Sequence, residues 1–330
     1  MTSRLGTATT RGGGTPAPPA AASPPRPPLS VRLRRLDGTI SPYLYIAPFF
    51  FLFLAFGLFP LVYTFYVSLT SWDLGSPTHA YVGLRNYGEL LADPYFWNAL
   101  RNTVVIWVLS TTPQLLAALG LAHVLNRRLK MRTLFRVGML APNVTSVAAV
   151  AIIFAQLFGR DFGLVNWLLH LVGLGPVDWQ VGRLASQPAI SLMVIWRWTG
   201  YNTLIYLAAL QAVPRELYEA ASIDGASSGQ QLRHITIPML RPTIIFTVIV
   251  STIGGMQLFA EPLLFDSQPG SVTGGAGREF QTVALYLYEQ GFRNLEFGYA
   301  AAIAWALFVV IVIAAAINYG ITRRIHSTDQ

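Results

Sequence analysis

Cysteine is absent from this 330-residue chain. Disulfides, thiolate nucleophiles and cysteine-based metal sites are therefore excluded. Charge is scarce as well: Asp, Glu, Lys and Arg make up 12% of the residues, against about 25% in ordinary soluble domains. Lysine is almost missing. The single one, Lys130, sits in NRRLKMR with no glycine ahead of it, so the phosphate-cradling G-x-x-x-x-G-K-[ST] loop of an ATPase is lacking. H-E-x-x-H is lacking too. The histidines (His79, His123, His170, His234 and His326) are scattered without ligand spacing. The chain reads as a non-enzyme with no catalytic residue, metal or cofactor of its own.

What is present is apolar. Hydrophobic residues make up 53% of the chain, and the mean hydropathy is +0.47. A bilayer core about 30 Å thick needs ~20 apolar residues in a helix. Six stretches meet that need, at about 44–69, 103–125, 137–158, 189–212, 243–265 and 299–320. The expected fold is thus an all-α polytopic membrane protein with six transmembrane helices. Pro60, Pro113 and Pro142 fall in or beside these spans, where neighbouring helices can satisfy the freed carbonyls.

The net charge of +8 does not point to nucleic acid, because the basic residues lie in short loops beside apolar runs. Arg32, Arg34 and Arg35, then Arg127, Arg128, Lys130, Arg132 and Arg136, then Arg215, Arg233 and Arg241, then Arg323 and Arg324 all fall on one side under the six-span count. The positive-inside rule makes that side the cytoplasm, with both termini there. Residues 1–40 read as a disordered Pro/Gly-rich cytoplasmic tail, 41–325 as the transmembrane domain, and 326–330 as a C-terminal tail. The opposite loops carry Trp72, Tyr81, Tyr87, Tyr95, Phe96, Trp97, Trp167 and Trp179, suited to a membrane–water interface.

One polar stretch breaks the apolar pattern. Residues 213–242 read VPRELYEAASIDGASSGQQLRHITIPMLRP. Pro214 suits a first helical turn, and Glu216 and Glu219 suit the positive end of the helix dipole. Gly225 permits a turn. A second short helix is expected over 226–234, ended by Pro238 and Pro242. The result is a helix–turn–helix elbow on the cytoplasmic face, lined by small residues.

This segment resembles the EAA loop of ABC importer permeases, through Glu219, Ala220, Ala221, Gly225, Ile235 and Pro238. Asp224 and Ala226 match the E-A-A-x-x-D-G-A form found in sugar importers, although Leu232 stands where that form usually has phenylalanine. Residues 82–103, 135–158 and 163–169, and the small-residue run 298–304, are similar to carbohydrate permeases related to the maltose system. The resemblance implies a type I ABC importer permease fold and an inner-membrane location. It implies a solute-translocating subunit with an ABC ATPase dimer as partner. Glu219, Ala220, Ala221, Asp224, Gly225, Ala226 and Pro238 would couple to that ATPase, and the elbow from 219 to 229 would be its coupling helix. ATP and Mg would be used by the ATPase alone. A second permease, forming a heterodimer, and an extracellular solute-binding protein are implied as well.

The sequence also offers a solute path. Polar groups inside spans are costly and usually functional. The fourth span holds Trp196, Arg197, Trp198, Tyr201 and Asn202, and the fifth holds Gln257 and Glu261. Gln114 and Trp305 lie in the second and sixth. Aromatic faces plus planar hydrogen-bonding groups suit a di- or oligosaccharide. Arg197 and Glu261 either line the path or pair with each other. QLFAEPLLF with FQTVALYLYEQGF resembles permeases for cellobiose-type β-glucosides, and Gly274 and Gly275 occupy a turn where the family often adds proline. The competing readings are an ion-coupled secondary transporter and a related permease for a non-sugar solute such as glycerol 3-phosphate. The former predicts inverted repeats and several midplane carboxylates. No repeat is visible, and Glu261 is the only acidic residue well inside a span.

Overall fold

The computed structural model describes residues 29–73, 79–126, 131–266 and 271–327. Arg127, Arg128 and Lys130, used above for orientation, lie outside them, as do residues 1–28 and 328–330 of the two expected tails. The chain divides into two compact units, Met1–Pro60 and Leu61–Gln330.

In the first unit, helix α1 covers Leu29–Phe53 and a π turn follows at Leu54–Leu58. The helix therefore begins inside the segment expected to be a disordered tail up to residue 40. Its start follows the last of the clustered prolines, and VRLRRL is rich in helix-forming Leu and Arg. Phe49 and Phe53, one turn apart, stack at 6.3 Å between ring centroids. Both are exposed, as suits a lipid-facing helix.

Helix α2 (Phe59–Ser68) leads into the second unit. Then come α3 (Arg85–Ala92) and α4 (Pro94–Leu125). Asp93 caps α4 by accepting from Tyr95 N at 2.8 Å, and Pro94 opens its first turn, where no N–H is needed. Helices α5 (Arg132–Val144) and α6 (Val147–Leu157) meet at a sharp bend, and α7 (Leu164–Leu171) follows. The long α8 is Arg183–Gln211. The elbow holds α9 (Arg215–Ile223) and α10 (Ser228–Gln231), and a π turn at Leu232–Thr236 joins it to α11 (Ile237–Met256). Short helices α12 (Ala260–Phe265) and α13 (Val283–Tyr288) precede the final α14 (Phe297–Ser327).

Four helical stretches among the described residues are long and apolar enough to cross a membrane: Ser41–Ser68, Pro94–Leu125, Ser228–Met256 and Phe297–Gly320. The expected third span is instead a pair, Thr133–Val144 and Val147–Leu157, bent by 89°. The bend follows Pro142, and Thr145 takes an extended conformation. The expected fourth span is α8, whose 29 residues reach about 43 Å at 1.5 Å per residue. Its polar side chains leave it less apolar than the others.

The expected fifth span also changes. It was read as one helix over 243–265, but α11 stops at Met256. Gln257 leaves helical geometry (φ −98°, ψ 15°), Phe259 lies at φ −131°, and the chain resumes as α12. Broken helices at membrane depth are tolerated where neighbouring groups satisfy the backbone. Here Thr282 Oγ1 donates to the Leu258 carbonyl at 2.7 Å.

Packing centres on α4, which lies along α8 and α11. Helix α5 rests on α8, α11 on α14, and α12 on α6. Ala118, Ala122 and Ala189 are fully buried, since small residues let backbones approach. Gly200 is the extreme case: a Cβ there would lie 1.9 Å from the Met139 carbonyl oxygen. Two residues expected at the interface are packed inside. Phe96 joins the core with Leu90, Met256 and Tyr286. Trp179 packs on Phe158, and its Nε1 donates to Asn166 Oδ1 at 2.9 Å.

Residues 271–293 are not a loose loop. Gly274 and Gly275 turn the chain at positive φ, and Phe280, Gln281 and Val283 are fully buried. Asn102 donates to the carbonyls of Arg278 and Gln281, and Arg278 pairs with Glu289 at 2.6 Å. This clamp holds the chain after α12 against α4.

Candidate functional site

A cavity of about 410 Å³ opens where α11 breaks. Helix α8 contributes Arg197, Trp198, Tyr201 and Asn202, α4 contributes Thr111 and Gln114, and the break and α12 add Gln257 and Glu261. The α8 residues fall on one stripe, because 197 and 201, and 198 and 202, are each one turn apart. Trp196 falls off that stripe. It packs on Phe154 at 5.6 Å between centroids instead. Of the residues expected along a solute path, Gln114, Arg197, Trp198, Tyr201, Asn202, Gln257 and Glu261 are thus brought together and Trp196 is not. Trp305 also lies elsewhere, against Phe65 and Phe308. Thr111 and Ser251 also line the cavity; they were not singled out in the sequence, where short hydroxyl side chains barely interrupt an apolar run.

Arg197 and Glu261 pair with each other at the cavity wall. Arg197 Nη1 donates to Glu261 Oε1 at 3.0 Å, and the side chains are only 16% and 7% exposed. The Arg197 guanidinium also lies 5.7 Å from the Trp198 ring centre. A buried pair of this kind adds little net stability, but removing one partner strands the other charge.

The second site is the elbow. Pro214 stands at the N-cap of α9, one position earlier than expected, and Glu216 lies in its first turn. The helix ends in a Schellman motif: Ala226 N donates to Ala221 O at 2.8 Å and Gly225 N to Ser222 O at 3.1 Å, with Gly225 at φ +79°. Ser227 and Gln230 then form a capping box for α10. Tyr218 OH is 3.0 Å from Thr236 Oγ1, and Tyr218 and Ile235 pack on the core around Leu210 and Leu240. The inner face of the elbow is anchored. Its outer face is open, with Glu219, Asp224 and Gly225 exposed and Ile223 at 87% exposure.

Pro238 and Pro242 do not end the second elbow helix, as was expected. The helix runs on through the π turn at Leu232–Thr236, and both prolines lie within α11. A widened turn just ahead of Pro238 makes room for its ring and its missing donor.

Residues 114–327 match the family described as binding-protein-dependent transport system inner membrane component. The chain belongs to this family. It is 36% identical over 288 residues to the lactose transport system permease protein LacF of Rhizobium radiobacter, covering 86% of this chain and 94% of LacF. It is 37% identical over 287 residues to the arabinooligosaccharides transport system permease protein AraP of Bacillus subtilis (strain 168), covering 84% and 87%. A bacterial ABC transporter involved in the import of the acidic polysaccharide alginate contains a chain with the same fold. That chain aligns with a TM-score of 0.75 at 22% identity, over 89% of this chain and 99% of its own length. The fold is the type I ABC importer permease fold, and the protein is an inner-membrane transport component rather than an enzyme.

Proposed function

We propose that this chain is the permease subunit of an ATP-driven importer that moves a di- or oligosaccharide across the cytoplasmic membrane. The observation that carries this reading is the cavity at the α11–α12 break. It sets the Trp198 and Tyr201 rings beside the planar amides of Gln114, Asn202 and Gln257, in a volume within the roughly 300–1,000 Å³ range of small-molecule sites. Relatives named for lactose and arabinooligosaccharides support a sugar, and their variety favours no single one, cellobiose included. An ion-coupled carrier is not favoured: Glu261, already paired, is the only carboxylate among the described cavity-lining residues.

In this reading both termini are cytoplasmic. The exposed face of the elbow, from Glu219 to Ala226, docks on an ABC ATPase dimer, which alone uses ATP and Mg. A second permease completes a heterodimer, and an external binding protein delivers the sugar. Closure of the ATPases moves the elbow as a lever. Because α9 is tied to the core through Tyr218 and Thr236, the motion reaches α8 and α11 and alternates access to the cavity.

Affinity purification of the tagged chain from its own membranes, with protein identification by mass spectrometry, tests the partner set. An ABC ATPase should co-purify and be lost on Glu219→Lys. Isolation of the folded chain without any ATPase would overturn the reading.

A further inference from the structure

Among the described residues lining the cavity, Arg197 and Glu261 are the only basic and acidic side chains, one of each sign. Glu261, on the six-residue α12, accepts from Arg197 Nη1, on α8, at 3.0 Å. The other polar side chains, Thr111, Gln114, Tyr201, Asn202, Ser251 and Gln257, are amides and hydroxyls. Arg197 Nε is buried and has no hydrogen-bond partner among the described residues, a costly state for a donor. The pair therefore brings one charge of each sign to the cavity wall.

We propose that the Arg197–Glu261 pair sets the selectivity of this cavity for uncharged, polyhydroxylated solutes over sugars bearing a carboxylate or phosphate. The inference rests on the cavity lying on the solute's path. A neutral sugar brings hydroxyl groups that bond to the cavity's amides and hydroxyls and leave the pair intact. An acidic sugar brings a second anion toward Glu261 and must compete with it for Arg197. Like charges at such separations in partly buried surroundings shift relative affinity by about tenfold to a hundredfold. Glu261→Gln keeps the size of the side chain and an oxygen for Nη1 but leaves Arg197 as an uncancelled cation. The cavity then turns toward anions. In Arg197→Gln/Glu261→Gln the net charge returns to zero, and the preference for the neutral sugar returns with it.

The test uses the assembled permease–ATPase complex in lipid nanodiscs without binding protein, so that the cavity itself selects. Saturation-transfer NMR reads weak binding of a neutral trisaccharide, maltotriose, and an acidic one, trigalacturonate. Wild type should favour maltotriose. Glu261→Gln should move the ratio toward trigalacturonate by about tenfold or more, and the double variant should restore the wild-type order. A Glu261→Gln complex that unfolds at the wild-type temperature yet keeps the wild-type ratio overturns the proposal. So does a double variant that keeps the single variant's ratio. Should Glu261→Gln fail to assemble, the charge-swapped Arg197→Glu/Glu261→Arg pair decides, since neutrality must preserve the preference for maltotriose. Failure of the underlying reading looks different: the maltotriose signal would then persist in Gly254→Phe, which fills open space beside a cavity glycine.

Discussion

Replacing Gly225 isolates the contribution of elbow geometry from that of contact chemistry. Gly225 sits at φ +79°, and a Cβ built there meets no atom within 4 Å. A substitution therefore causes no clash, and its cost is conformational: roughly 1–2 kcal/mol for an ordinary L-residue in the left-handed region, and more for a β-branched one. The alternative is to abandon that geometry and with it the bonds from Ala226 N to Ala221 O and Gly225 N to Ser222 O, each contributing about 1 kcal/mol. Helix α9 has nine residues, too few to hold its shape unaided. A penalty of 1–2 kcal/mol that falls on the docking-competent form weakens binding by about five- to thirtyfold. The assay is titration of purified ATPase subunit onto nanodisc-embedded permease, with thermal unfolding followed in parallel. Gly225→Val should bind most weakly, and Gly225→Asn should fall between valine and wild type, because asparagine tolerates the left-handed region. Binding of the valine and asparagine variants at equal, wild-type strength would refute the argument that the turn fixes the docking surface.

Gly200→Val should separate α5 from α8, because even its Cβ would lie 1.9 Å from the Met139 carbonyl oxygen. A loss of about 1–3 kcal/mol or more is expected, read as a lower unfolding temperature, whereas Gly138→Ala, with nothing within 4 Å, should stay near wild type. Glu261→Ala should destabilise by roughly 3–5 kcal/mol by stranding Arg197 in buried surroundings, and Arg197→Met/Glu261→Leu should cost less than the single change, measured by denaturation of the complex. Glu296 titrates above the ordinary carboxylate range, through partial burial and then the charges of Asp73 and Glu89. It binds its proton more tightly folded than unfolded, so its stabilising effect is full below the ordinary carboxylate pKa and is lost as pH rises through the raised folded value. Glu296→Gln should flatten that part of the stability–pH curve.

The elbow was legible because its signals are local: proline ahead of a helix, glycine after it, and a family register that places both. The capping box of Ser227 and Gln230 was legible too, by its S-x-x-Q spacing, and was overlooked. The break at Gln257 was hidden because FAEPLLF is as apolar as the helix before it, and hydropathy reports composition rather than backbone continuity. The 89° bend between α5 and α6 was hidden for the same reason, with Pro142 as its only trace. The cavity residues of α8 could have been separated from Trp196 by helical spacing alone. The pairing of Arg197 with Glu261, 64 residues away, depends on α12 folding back beside α8, which no local pattern encodes. Pro238 misled because a proline that usually ends a helix is accommodated here by a π turn.

The central claim is that this chain carries a sugar across a membrane at the expense of ATP hydrolysed by another subunit. The most direct measurement is uptake of radiolabelled oligosaccharides by proteoliposomes holding the complete complex, with ATP inside the lumen or omitted. Accumulation that requires ATP and binding protein, and that falls sharply in Gly254→Phe, a bulky change at a glycine lining the cavity, is the predicted result. Accumulation driven by a proton or sodium gradient without ATP would contradict the account.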